Sequence, residues 1–289
     1  MNLQSSAVAL VVILAPQVAR TDDAWQMTPA LRLQCLAVLR QGMRSDDFWP
    51  AIHAAEALTL AGRPNEVRQY LEPLLQAETD DQRRCGLARE LVRAGDRRRS
   101  RVMLQILQKP DTHGHVHAAE SLYKVGWEGD DAPLRQALAE SDEQPLRIMA
   151  AAALAKHGEG DLHEESLALL RSTLREEPDA SVFRLAAWVL GRIGADGDRA
   201  VIRSRLKDTR DVVDRAFLEH ALAALGDPAA QQALLGNFDS SEAAVRTYAA
   251  VFAGETGVFA AVPLLVRQLG DESLDARIRA AQALLVLAS

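Results

Sequence analysis

Apolar residues recur along this chain in short helical patterns, each of which closes at a glycine or another small residue. The clearest copies are IHAAEALTLAG (52–62) and VHAAESLYKVG (116–126). With the closing residue as register mark, eight copies align, at Gly62, Gly95, Gly126, Gly158, Gly194, Gly226, Gly257 and Ala288. The steps between them are 33, 31, 32, 36, 32, 31 and 31 residues. Because each period holds two helical patterns, the spacing predicts an α-helical solenoid of stacked helix pairs.

The turn between the two helices of a repeat has its own chemistry. In Gly226-Asp227-Pro228, glycine suits a left-handed residue that ends one helix. Aspartate suits the N-cap of the next helix, and proline suits its first position. The first helix of most repeats also carries an alanine pair, of which one member lies off the apolar stripe. A small residue there predicts that the helix of the next repeat approaches closely.

Composition narrows the class of protein. Hydrophobic residues make up 48% of the chain but aromatic residues only 4%, which suits closely packed short helices. The net charge of −7 argues against nucleic acid as the main ligand, because phosphate binding needs a basic surface. Cys35 and Cys85 lie inside apolar helical patterns, so we expect two reduced, buried thiols.

Four copies of the pattern carry a family resemblance. They are LRIMAAAALAKHG (146–158), VFRLAAWVLGRIG (182–194), VRTYAAVFAGETG (245–257) and ARIRAAQALLVLA (276–288). They resemble HEAT repeats of the short bacterial subtype found in phycobilisome lyase-like proteins, over roughly residues 47–289. The resemblance implies an all-α, right-handed α-solenoid of about seven to eight helix pairs. It does not choose a function, since such repeats occur in scaffolds, bilin lyases, DNA glycosylases and the di-iron deoxyhypusine hydroxylase.

We expect two regions: an N-terminal helical cap in residues 1–46, with a helix over 28–42, and a continuous solenoid in 47–289. The apolar segment 6–16 has no Lys or Arg before it, and it is too short to span a bilayer as a helix, which needs about 20 residues. It is either the first solenoid helix or part of an atypical signal segment over residues 1–19. The corresponding predictions are a cytoplasmic protein and, as the alternative, an exported one.

Two identical motifs are the main catalytic candidates. His53 and Glu56 stand at the same repeat positions as His117 and Glu120. Histidine with carboxylate is the ligand set of non-haem iron and zinc sites. In a regular stack, however, helices lie about 8–10 Å apart, so two repeats separate the motifs by roughly 16–20 Å. We therefore interpret each motif as an i,i+3 pair at a helix edge, and we expect no metal or other cofactor.

A third candidate is Glu219-His220. Glu219 stands where other repeats mainly use a small residue, and a buried carboxylate needs a partner. Either Arg184, Arg215 or Arg246 pairs with it, or the site opens locally into a ligand pocket.

The chain ends after the first helix of its last repeat, and residues 283–288 are entirely apolar. This uncapped helix predicts a longer chain or end-to-end self-association. The function we expect is a non-catalytic scaffold that binds a protein or peptide partner on a concave face lined by the second helices, without nucleic acid or a membrane span. The alternative is a metal-dependent (non-haem iron or zinc) or lyase-type enzyme that uses the His/Glu pairs.

Overall fold

The computed structural model describes residues 25–158 and 162–289, so the apolar segment 6–16 lies outside the described residues. The described residues form sixteen α-helices and no strand. None of these helices is long and apolar enough to cross a membrane. The expected all-α solenoid is confirmed.

Eight first helices form an inner layer, in which each helix packs against the next one in chain order. Their bounds are α2 (Phe48–Leu60), α4 (Asp81–Arg93), α6 (His115–Val125), α8 (Gln144–His157), α10 (Ala180–Ile193), α12 (Val212–Ala224), α14 (Ala243–Glu255) and α16 (Leu274–Leu287).

The remaining helices form an outer layer. Their bounds are α1 (Pro29–Met43), α3 (Pro64–Ala77), α5 (Ser100–Leu107), α7 (Ala132–Glu140), α9 (Leu162–Glu176), α11 (Asp198–Asp208), α13 (Pro228–Gly236) and α15 (Val262–Gln268).

The solenoid closes on itself. The last inner helix, α16, packs against the first one, α2, so the inner layer is a ring of eight helices. The N-terminal helix α1 packs between α16 and α2, as α3 packs between α2 and α4. It therefore supplies the second helix that the last repeat lacks in sequence. We call the contacts of α16 with α1 and α2 the seam.

Closure changes two expectations. The apolar end of α16 is covered by α1 and α2 of the same chain, and Leu284, Leu285 and Leu287 are at most 8% exposed. The apolar face on which the expectation of end-to-end association was based is therefore already buried within the chain. The concave face was also assigned to the wrong layer, since the first helices surround the centre of the ring and the second helices lie outside.

The turn chemistry explains most of the repeat boundaries. Gly226 has φ of 80°, the side chain of Asp227 accepts a hydrogen bond from the backbone N–H of Ala230, and Pro228 begins α13. Gly62, Gly95, Gly126 and Gly257 also have positive φ. Gly158 and Gly194 differ, because they have φ of −72° and −75° and leave their helices in extended conformation.

Small residues set the distance between inner helices. Ala54, Ala118 and Ala152 are fully buried. A Cβ on Gly254 of α14 would lie 2.8 Å from the Cα of Ala283 in α16, so these two backbones nearly touch. At the seam, a Cβ on Gly42 of α1 would lie 2.7 Å from Ile278 Cδ1 and 3.2 Å from Ala54 Cβ. The seam is as closely packed as the other helix contacts.

Gly42→Val tests the packing of the seam. The added methyl groups meet Ile278 and Ala54, so we expect the free energy of unfolding to fall by about 1–3 kcal/mol. Gly236→Val is the matched control, since no atom lies within 4 Å of a Cβ at that position, and it should change stability little. Urea unfolding at equilibrium measures both. Equal stability of the two variants would contradict the tight seam.

Candidate functional site

A cavity of about 600 Å³ occupies the centre of the ring. Its wall is formed by six inner helices, α2, α6, α10, α12, α14 and α16. Side chains from the first and last repeats therefore face the same space. We call it the central cavity.

The first turns of four inner helices border the cavity and mark its mouth. Ser181 of α10, Val213 of α12 and Ala244 of α14 are the first-turn residues there, and Asp275 holds that place in α16. Ala244 is exposed, so the cavity communicates with solvent between these helix ends. The mouth thus collects the positive ends of several helix dipoles.

Aromatic side chains form part of the wall. The Trp188 ring of α10 lies between two cations, with Arg192 at 4.3 Å and Lys124 at 5.5 Å from its centroid. Nearer the mouth, the rings of Phe217 and Tyr248 lie 4.6 Å apart. These rings provide apolar contact area beside charged groups, as binding pockets commonly do.

A hydrogen bond and an ion pair join the two ends of the chain across the seam. His53 Nδ1 lies 2.7 Å from Asp275 Oδ1, and Arg279 donates to Glu56 at 2.8 Å. Arg93 of α4 reaches the other oxygen of Glu56, at 3.1 Å. The two seam pairs connect residues 222 and 223 positions apart in the sequence.

Pairing keeps these carboxylates ionised despite their burial. Burial raises the pKa of Glu56, but Arg279 and Arg93 outweigh it and hold that pKa well below its usual range. At Glu120 burial again raises the pKa, yet Lys124, whose ammonium lies 2.6 Å away, and Arg89 bring it down to about 2. Burial, with Arg279 nearby, lowers the pKa of His53, so its imidazole is neutral at pH 7.

The two identical motifs have different surroundings. His53 faces the cavity and binds Asp275, whereas His117 stacks on Trp49 with ring centroids 5.1 Å apart. Both glutamates, Glu56 and Glu120, line the central cavity. A regular open stack would have kept them two repeats apart, but the ring brings both motifs' carboxylates to one cavity wall. No group of three or more His, Cys, Asp or Glu among the described residues could hold a metal ion.

Glu219 and His220 do not line the cavity. Of the three arginines considered from the sequence, Arg215 pairs with Glu219, at 3.1 Å, and Asn237 donates to its other oxygen. His220 is fully buried, and burial lowers its pKa to about 3, with Arg192 adding to the effect. The imidazole is therefore neutral at pH 7.

Sequence analysis missed the partners of the motifs. Asp275 and Arg279 belong to the last repeat, and nothing in the local pattern relates them to His53 or Glu56. One signal was available, however. The last repeat lacks a second helix while an extra helix precedes the first repeat, and these two irregularities complement each other in a ring.

One comparison with known protein families supports the repeat assignment over part of the chain. Residues 131–220 and 167–255 match a family model described as HEAT repeats. No curated protein matches the sequence. A crystal structure of an engineered protein, a target of the Northeast Structural Genomics Consortium, is 18% identical over 90% of this chain and 97% of its own, with a TM-score of 0.27.

The pairing of Glu120 predicts a pH dependence of stability. Its pKa is about 2 in the folded chain and lies near 4.5 ordinarily, so its contribution is complete above about pH 5 and is lost as the pH falls towards 2. We expect Glu120→Gln to reduce the fall in unfolding free energy between pH 6 and pH 3 by about 1–3 kcal/mol. Chemical denaturation at both pH values measures this fall.

Glu165→Gln is the control, because Glu165 is exposed on α9 and makes no ion pair with the described residues. Glu165→Gln should leave the dependence of the unfolding free energy on pH unchanged. A Glu120→Gln profile that overlies that of the unsubstituted protein would contradict the assigned ion pair.

Proposed function

We propose that this chain is a HEAT-repeat protein and a non-catalytic scaffold whose central cavity admits a short peptide segment of a protein partner. HEAT repeats typically serve as protein-interaction scaffolds. Closure of the ring makes the cavity wall the concave face on which such a partner would bind.

The size of the cavity limits what can enter it. A volume of about 600 Å³ lies within the range of small-ligand pockets and is far too small for a folded domain. A few residues of extended chain fit this scale, and they would enter through the mouth beside Ala244. Trp188, Phe217 and Tyr248 would contact the apolar part of the segment, since aromatic residues concentrate binding energy at protein interfaces.

The state of the candidate catalytic residues favours binding over catalysis. Glu56 is bound by two arginines and Glu120 by a lysine. Cations thus engage both oxygens of Glu56 and one oxygen of Glu120, and they lower the pKa of both carboxyl groups, which makes each a weaker proton acceptor. The pair of Glu56 with Arg279 crosses the seam, whereas Glu120 and Lys124 both lie on α6. The observation that carries the proposal is the cavity with aromatic side chains in its wall.

Site-specific photo-crosslinking tests the proposal. A photoreactive amino acid replaces Ala244 at the cavity mouth, and the same residue replaces Ala229 in a control protein. Both alanines are exposed and hold the second position of their helices, but only Ala244 lines the cavity. We expect crosslinking in the source cells to join Ala244, and not Ala229, to one short stretch of a partner protein, which peptide mass spectrometry identifies.

Two results would refute the scaffold. One is equal crosslinking from both positions, and the other is crosslinking of Ala244 to small molecules alone. A synthetic peptide of the identified stretch provides a further check, since Ala244→Trp narrows the mouth and should weaken its binding about tenfold or more, whereas Ala229→Trp should not.

A further inference from the structure

We infer that the central cavity holds a carboxylate at the N-terminus of α14, contributed by the bound segment. This inference rests on the proposed function and names the chemical group that the cavity recognises. It is carried by one uncapped helix end, by two hydroxyl groups without partners and by the cavity onto which all of them open.

The first turn of α14 has free donors. Asp179, Asp211 and Ser273 accept hydrogen bonds from the first turns of α10, α12 and α16, but Glu242 makes no such side-chain bond to α14. The backbone N–H groups of residues 243–245 have no acceptor within the described part of the chain. Both Ala243 and Ala244 line the cavity, so these donors are available to a ligand there.

Thr247 gives an independent indication. Its side chain lines the cavity one helical turn below Ala243 and Ala244, and the residue is only 8% exposed. Its hydroxyl group forms no hydrogen bond with any described residue. The hydroxyl oxygen is not sealed inside the protein, so it is open to the cavity and available to a ligand there.

Tyr248 adds a second hydroxyl group. It also lines the cavity, and its hydroxyl has no hydrogen-bond partner in the described residues. Burial raises its pKa, so the group is a donor at neutral pH. Thr247, Tyr248 and the first turn of α14 thus offer donors on one face of one helix.

The charges around the site leave room for a negative group. The cavity already contains three carboxylates: Glu56 and Glu120 each pair with a cation, and Asp275 hydrogen-bonds to the neutral imidazole of His53. At the mouth, Arg184 pairs with Asp214 at 3.2 Å and lies over the ring of Phe217. The first turn of α14 contains no acidic residue and the Glu242 side chain does not cap it, so a carboxylate would accept the free hydrogen bonds there.

Isothermal titration calorimetry of the purified protein with defined peptides tests this site. The probe is N-acetyl-tetraglutamate amide, and the neutral control is the matching tetraglutamine peptide. We expect the acidic peptide to bind about tenfold or more tightly than the neutral one, and to lose affinity as salt is added. Titration with glutarate, a free dicarboxylic acid, shows whether the bound carboxylate must belong to a peptide or can come from a small acid.

Two variants remove single donors. Thr247→Val removes the buried hydroxyl, with Thr256→Val at the other end of α14 as its control. Ala243→Pro removes one N–H at the first helical position, which proline tolerates, and the extended Glu242 before it is compatible with that change. Ala180→Pro makes the same change in the capped helix α10. We expect the acidic peptide to bind about tenfold more weakly to the two test variants and with unchanged affinity to the two controls. Thr256→Val loses the hydrogen bond that Thr256 donates to the carbonyl oxygen of Phe252, so its melting temperature should fall, and binding is compared at a temperature at which every variant is folded.

The inference is overturned if the two peptides bind equally, if neither binds, or if both test variants bind the acidic peptide like the unsubstituted protein. Binding of glutarate as tight as that of the acidic peptide, lost in Thr247→Val, would also overturn the inference as stated, because the carboxylate would then come from a free acid and not from the bound segment. Failure of the carboxylate site leaves the crosslinking result at Ala244 standing, so the two proposals are tested separately.

Discussion

The contact of α16 with α1 and α2 is the constraint on which the rest of this structure depends. An open solenoid of eight repeats has two exposed ends and a broad concave groove. Here the first and last repeats meet, so the ends cover each other and the groove becomes a cavity of about 600 Å³. Interactions of Glu56 with Arg279 and of His53 with Asp275 fix that contact between segments more than 220 residues apart.

Small side chains make so tight a ring possible. Adjacent inner helices meet at alanine and glycine, as where Gly191 faces Ala221 and Gly254 faces Ala283. Close approach of these helices leaves little room at the centre, where long charged side chains converge. Arg279 of α16 and Arg93 of α4 both bind Glu56 of α2 there, at 2.8 and 3.1 Å. Because each buried charge there is costly alone, pairing is a condition of the fold.

The sequence predicted those features of the fold that depend on residues close to one another in the chain. The period located the helix pairs, and Gly226-Asp227-Pro228 forms the expected turn. The pairing of Glu219 with Arg215 was also among the expected outcomes, since both lie on one helix. Closure was not predictable in this way, because a period fixes the helices in a repeat but not the small rotation between repeats that decides whether eight of them meet. For the same reason, the sequence did not identify three residues as part of the cavity wall, namely Asp275, Arg279 and Thr247.

A double-mutant cycle between Glu56 and Arg279 tests the closed ring most directly. The unfolding free energies of Glu56→Gln, Arg279→Met and the double variant give the coupling between two residues that only closure brings together. The ring predicts a coupling energy of about 1–3 kcal/mol. Additive effects, with a coupling energy near zero, would show that the two ends of the chain do not meet.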